Sequence, residues 1–160
     1  MPEYERWSEA RTNAIIAEHA GEPGAILPIL HALQEVFGHV PVEAEPLVAA
    51  ALNLSRAEVH GIVTFYHDFR RRAPGRHVLR LCRAEACQAA GGEALATQVR
   101  RRHGIDWHAT TPDGALTLEP VFCLGLCACA PAAMLDGEVL GRLDEATLDE
   151  ALGGARERAA

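Results

Sequence analysis

The spacing of apolar residues changes period once along the chain, near its middle. Up to about Arg72 the repeat is helical. "SEARTNAIIAEHAG" opens on a capping Ser8 and closes at Gly21. "AILPILHALQEVFG" places Ile26, Leu30, Leu33 and Phe37 on one face and stops at Gly38, with Pro28 tolerable because it falls in the first turn. "VEAEPLVAAALN" predicts a third helix. "SRAEVHGIVTFYHDF" opens a fourth with a Ser55 to Glu58 capping box.

After "RRRAPGR", whose arginine, proline and glycine suit a linker, the period becomes that of a strand. "HVLRLC" alternates Val78, Arg80 and Cys82 against Leu79 and Leu81. A helix is expected over Glu93 to His103, with Glu93 at its positive end, Arg100 to Arg102 at its negative end and Gly104 as its stop. "WHATTPDGALTLEPVF" reads as strand on both sides of a Pro112-Asp113-Gly114 turn. "AAMLDGEVLGRL" reads as a hairpin around Asp136-Gly137, and "DEATLDEAL" as a closing helix. The tail "GGARERAA" is expected to be frayed. The fold class expected is therefore α/β: a helical bundle over residues 1–72, then a small α/β sandwich over residues 73–160, in the order strand, helix, hairpin, hairpin, helix.

Two units within 160 residues each struggle to bury enough apolar surface, and something besides a core is then needed to secure them. No apolar run approaches the roughly 20 residues of a membrane helix. Met1 to Trp7 is charged, unlike a secretion signal, so a cytoplasmic protein without membrane insertion is expected. The net charge of −7 argues against a nucleic-acid partner. Six arginines between Arg70 and Arg83 are the one basic concentration, read as a solvated linker or as a docking patch for an acidic partner.

The chemistry lies in the cysteines. There are five, an odd number that excludes complete pairing as disulfides within the chain. Cys82 and Cys87 stand at the end of the first predicted strand with four residues between them. Cys123 and Cys127 follow the first hairpin with three between them, in the uncharged stretch "VFCLGLCACAP". Each pair can aim two sulfurs at a common centre, and thiolates suit soft metals and iron-sulfur clusters. Four thiolates from two distant loops would also cross-link the domain. Zinc tolerates such spacings, so a structural Cys₄ zinc site and free or redox-active thiols stay open beside a cluster. Gly91, Gly92 and Gly125 let backbone amides approach sulfur, which leans toward the cluster. No C-x-x-C occurs, which argues against a thioredoxin-type dithiol. A cysteine nucleophile would need a histidine base, and His60 and His67 read better as packed or solvated. Cys129 reads as a small buried residue.

The set Cys82-x₄-Cys87 and Cys123-x₃-Cys127, preceded by "VHGIVTFYHDF" and followed by "APAAMLDGEVLGRL", resembles the thioredoxin-like [2Fe-2S] subunit family. That family includes the small flavin-side subunit of respiratory complex I and its relatives in NAD-reducing hydrogenases and NAD-dependent formate dehydrogenases. The resemblance spans about Gly24 to Leu148. It implies a thioredoxin-like ferredoxin domain over residues 73–160, and one [2Fe-2S] cluster held by Cys82, Cys87, Cys123 and Cys127. It also implies no catalytic residue, and docking on an FMN- and NAD-binding beta-type subunit. "CRAEACQ" departs from the glycine and hydroxyl residue usual after the first cysteine in complex I members. Together with "CLGLCACAP" and "HGIVTFYHDFR" it is similar to the gamma subunit of soluble NAD-dependent formate dehydrogenase. That likeness implies an alpha-type subunit with a molybdenum cofactor, and further Fe-S clusters in the partner subunits. Reduction makes a thiolate-bound cluster more negative, and burial penalises that charge unless amides or cations offset it. Arg83, next to Cys82, is placed to supply such a charge or to face solvent.

Overall fold

The computed structural model describes residues 4–158, which divide into two compact units between Ala73 and Pro74.

The N-terminal unit is helical, with α1 (Glu9–His19), α2 (Ile26–Phe37), α3 (Glu45–Leu52) and α4 (Arg56–Phe65). Local chemistry sets the ends of these helices. Ser8 Oγ accepts from the Arg11 N–H at 3.2 Å to open α1. At α4 the Ser55–Glu58 capping box closes in both directions. The Glu58 N–H donates to Ser55 Oγ at 3.2 Å, and the Ser55 N–H donates to Glu58 at 2.8 Å. Gly38 ends α2 at φ 75°, where a Cβ would sit 2.8 Å from the Tyr4 ring. The third predicted helix does not begin at Val42. A 3-10 turn covers Val42–Ala44, and the α-helix starts at Glu45, where Pro46 occupies the first turn and needs no hydrogen-bond acceptor. Ile15, Ile29, Leu30, Leu33, Phe37, Val48 and Val59 fill the core of this unit.

In the same unit Glu45 is nearly buried. Its carboxylate accepts from the Arg71 guanidinium and lies 3.1 Å from His60 Nδ1. Gln34 secures the same stretch of chain, accepting from the Arg70 N–H at 2.6 Å and donating to the Asp68 carbonyl at 2.8 Å. The arginine-rich segment is thus pinned at Arg70 and Arg71 rather than solvated throughout.

The second unit is a five-stranded sheet with strand order β2-β3-β1-β4-β5 and three helices. The strands are β1 (His77–Cys82), β2 (Ala109–Thr110), β3 (Leu116–Val121), β4 (Ala133–Leu135) and β5 (Glu138–Leu140). The helices are α5 (Glu85–Ala89), α6 (Gly92–His103) and α7 (Glu145–Arg158). The sheet is mixed: β1 runs parallel to β3, and the other pairs are antiparallel. Both predicted hairpins form. Asp136 and Gly137 take φ of 51° and 91° in the β4–β5 turn, the left-handed pair that a two-residue hairpin requires. Leu79, Leu81, Leu116, Leu118, Leu95, Val99 and Leu148 form the core. Among the described residues seven helices and a mixed sheet make the fold α/β, with a thioredoxin-like second unit.

In the second unit α5 and α7 differ from expectation. The helix α5 lies between Cys82 and α6, in a segment too short to show a period. The closing helix α7 does not stop at the Gly153-Gly154 pair but continues to Arg158, because Leu148, Leu152 and Ala155 keep one face buried through it. Ala159 and Ala160, the end of the stretch expected to fray, lie outside the described residues. Among the described residues no helix is long and apolar enough to cross a membrane.

Candidate metal centre

The register of β1 on β3 positions the site. Cys82, the last residue of β1, pairs with Val121, the last residue of β3, so the two cysteine loops leave the same end of the sheet side by side. The Arg83 N–H donates to the Val121 carbonyl at 2.8 Å, and the Cys82 N–H to the Ala132 carbonyl at 3.0 Å, which holds both loop roots together. The helix α5 then turns Cys87 back toward Cys82. Gly92, at the start of α6, packs so closely that a Cβ there would meet the Cys87 carbonyl oxygen at 2.6 Å.

In the second loop Cys123 takes φ 88°, unusual for a side chain with a Cβ, and Gly125 follows at 77°. The turn brings the Cys123 and Cys127 sulfurs to 3.9 Å from each other, and the Gly125 N–H donates to Cys123 Sγ at 3.4 Å. A 3-10 turn spans Cys127–Cys129 before the cis Ala130–Pro131 peptide.

The two pairs meet different surroundings. Cys82 and Cys87 are 5% and 2% exposed, in an apolar group with Ala132, Val121, Leu124 and Leu126. Cys123 and Cys127 are exposed, so the uncharged loop lies at the surface rather than around a fully enclosed centre. Phe122, beside Cys123, is 71% exposed. Cys129 is half-buried; its carbonyl accepts from the Arg142 N–H at 2.6 Å.

The thiols interact across the site. Burial alone would push Cys82 up, yet N–H donors from Ala84, Cys123 and Leu124 and a hydrogen bond from Cys87 bring it below the ordinary thiol range. Cys87 moves up through burial and through its hydrogen bond to Cys82. The Ala132 N–H opposes that shift, and the nearby Cys82 and Cys127 charges add to it. Cys127 moves up chiefly through its hydrogen bond to Cys123 and that neighbour's charge. The site thus joins all four sequence-predicted cysteines. Its amide donors differ from those expected: Gly125 serves as anticipated, but the first pair draws on Ala84, Cys123, Leu124 and Ala132, not on Gly91 or Gly92. Nothing in the sequence marks Ala132, because only the β1–β4 pairing brings it to Cys87.

Arg83 does not point its charge freely at the sulfurs. Its guanidinium is 3.1 Å from Glu93 and 5.0 Å over the Trp107 ring, which Arg100 also faces at 5.9 Å. Within the helical unit His60 is bound to Glu45 and His67 is exposed.

The donor set fits an iron-sulfur cluster: four thiols, each within reach of another, with backbone N–H groups aimed at sulfur. The sulfurs are gathered as pairs. Among the described residues no three histidine, cysteine or acidic side chains are grouped to hold a single metal ion.

Comparison with known proteins agrees. The family model of the thioredoxin-like [2Fe-2S] ferredoxin matches residues 12–156. An NADH-quinone oxidoreductase subunit of Rhizobium meliloti (strain 1021) is 39% identical over 139 residues, covering 87% of this chain and 83% of that protein. The NADP-reducing hydrogenase subunit HndA of Solidesulfovibrio fructosivorans is 32% identical over 120 residues, covering 75% of this chain and 70% of that protein. The crystal structure of an NAD+-reducing [NiFe]-hydrogenase in the H2-reduced state superposes with a TM-score of 0.67 at 26% identity; the match covers 80% of this chain and 22% of that one. A match over most of the chain, with the converging cysteine loops, makes this protein a member of the thioredoxin-like [2Fe-2S] ferredoxin family, whose cofactor is one [2Fe-2S] cluster.

Proposed function

We propose that the chain is the [2Fe-2S] electron-transfer subunit of an NAD-linked oxidoreductase complex, with Cys82, Cys87, Cys123 and Cys127 as the ligands. The supporting observation is the convergence of two cysteine pairs at one end of the sheet, one pair buried and amide-bonded and the other open to the surface. When bound, such a cluster takes up and releases single electrons. The chain's own part is to hold four thiolates, to offset their charge with backbone N–H groups, and to leave the Cys123–Cys127 side accessible to a partner subunit. No bond-making chemistry falls to the isolated chain.

The relatives favour the complex I or hydrogenase branch. In this reading the partner is the FMN- and NAD-binding beta-type subunit that the resemblance implies, exchanging electrons with this chain. A second reading, the gamma-type subunit of a molybdenum-containing formate dehydrogenase, is favoured by one specific feature, the "CRAEACQ" first loop. Its alpha-type partner would oxidise formate. In each of these readings the chain itself is expected in the cytoplasm.

Purified protein should carry about two irons and two labile sulfides per chain and give an EPR signal on reduction. One equivalent of zinc with no visible absorption overturns the electron-carrier reading. Among co-purifying subunits, molybdenum with formate-dependent NAD reduction selects the second reading, nickel with hydrogen oxidation selects the hydrogenase branch, and quinone reduction by NADH selects complex I.

A further inference from the structure

The two halves of the sulfur cradle differ in a way that matters when the cluster is absent. The Cys123 and Cys127 sulfurs already stand 3.9 Å apart, and both residues are exposed. A disulfide needs about 2.05 Å, so the pair must close by roughly 1.9 Å. The turn between them can supply that movement: Gly125 lies inside it with nothing within 4 Å of where a Cβ would be. The other candidates are worse placed. Cys82 and Cys87 are buried, out of reach of a soluble oxidant. Cys129 is half-buried, with its N–H tied to the Leu126 carbonyl at 2.8 Å and its carbonyl to the Arg142 N–H at 2.6 Å.

We propose that in the cluster-free chain Cys123 and Cys127 are a redox-active dithiol, closed to an intraloop disulfide by a low-molecular-weight disulfide such as oxidised glutathione, and that closure blocks cluster insertion until the bond is reduced. The blocking half of the proposal rests on the reading of both residues as cluster ligands.

The chemistry balances as two exchanges. One exposed thiolate attacks oxidised glutathione, forming a protein–glutathione S–S bond and releasing one glutathione thiolate. The neighbouring thiolate then attacks the protein sulfur of that mixed disulfide, forming the Cys123–Cys127 bond and releasing the second glutathione. The protein dithiol is oxidised by two electrons, glutathione disulfide is reduced by two, and the two thiol protons end on the released glutathione. The second step is favoured over capture by another glutathione because the attacking sulfur is already beside its target.

The test uses the full chain, stripped of iron under reducing conditions and then treated with oxidised glutathione. The expected product has lost two hydrogens in mass and yields a Cys123–Cys127 cross-link on peptide mapping. Cys129→Ser leaves that product intact, whereas Cys123→Ser and Cys127→Ser abolish it and accumulate a single glutathione adduct. Iron and sulfide should fail to rebuild the visible spectrum on the oxidised chain and succeed after dithiothreitol. A bond between any other pair, or stable glutathione adducts on wild type without the cross-link, overturns the dithiol. An oxidised, cross-linked chain that takes up the cluster at undiminished yield overturns the block. A reduced chain that never assembles a [2Fe-2S] cluster counts against the ligand reading instead, and the mapping result stands apart from it.

Discussion

The Arg83 guanidinium lies over Trp107, 5.0 Å from the ring centre, although Arg83 is joined directly to Cys82. Stacking and the Glu93 carboxylate at 3.1 Å hold it, so its charge is largely neutralised within its own contacts. Arg83→Gln is therefore expected to shift the cluster midpoint potential by less than about 60 mV, the equivalent of one tenfold change in a one-electron equilibrium. An EPR-monitored redox titration checks this. A larger shift would mean that the arginine acts on the cluster unscreened.

Serine at Cys82, Cys87, Cys123 or Cys127 should each lower iron well below two per chain and erase the visible spectrum, while Cys129→Ser keeps both. Iron and labile sulfide assays on the five variants read this out. The four ligand variants should also melt earlier than wild type, because a centre that ties the two loops contributes to folding. Full iron in any of the four, or its loss from the Cys129 variant, reassigns the ligand set.

In the helical unit, Glu45→Ala removes the nearly buried acceptor shared by Arg71 and His60. Both partner side chains reach solvent, which limits the penalty, so the cost should be about 1–3 kcal/mol. Chemical denaturation followed by helix signal measures it. An unchanged midpoint would show that the Gln34 contacts alone hold the arginine segment.

Acid should weaken the start of α7. The Asp144 carboxylate accepts from the Thr147 N–H at 2.8 Å and from its hydroxyl at 2.7 Å, and these bonds hold its carboxyl below the ordinary range. With the folded pKa depressed, its stabilisation is complete above the ordinary carboxylate range and fades as pH falls through the folded value. The gap in melting temperature between wild type and Asp144→Ala should thus be widest near neutrality and narrow on acidification. A gap independent of pH would remove charge from the account.

Much of this protein can be read from short stretches of sequence because local chemistry decides them. Ser8, the Ser55–Glu58 box, Gly38, Gly104 and Asp136-Gly137 each do in the structure what their residue types dictate. The four cysteines can be singled out because two close pairs of thiols are unusual in any sequence. What cannot be read depends on contacts between distant segments. The pairings of β1 with β3 and with β4 have no local signature, and without them neither the Leu124 amide nor the Ala132 amide can be assigned to sulfur. Exposure of the Cys123 loop escapes the sequence for a related reason: an absence of charge suggests enclosure, but whether an apolar loop is covered depends on what packs over it. The α7 extension through two glycines shows tertiary burial overriding local propensity.

The pairing of Cys82 with Val121 also sets a timetable for synthesis. Among the described residues the helical core draws on nothing beyond Phe69, so that unit can become compact while later residues are still being made. The sulfur cradle is incomplete until β3, the second cysteine loop and Ala132 have all emerged. Any machinery that delivers iron and sulfide must therefore act after Ala132 has emerged, when the helical unit already has every residue of its core.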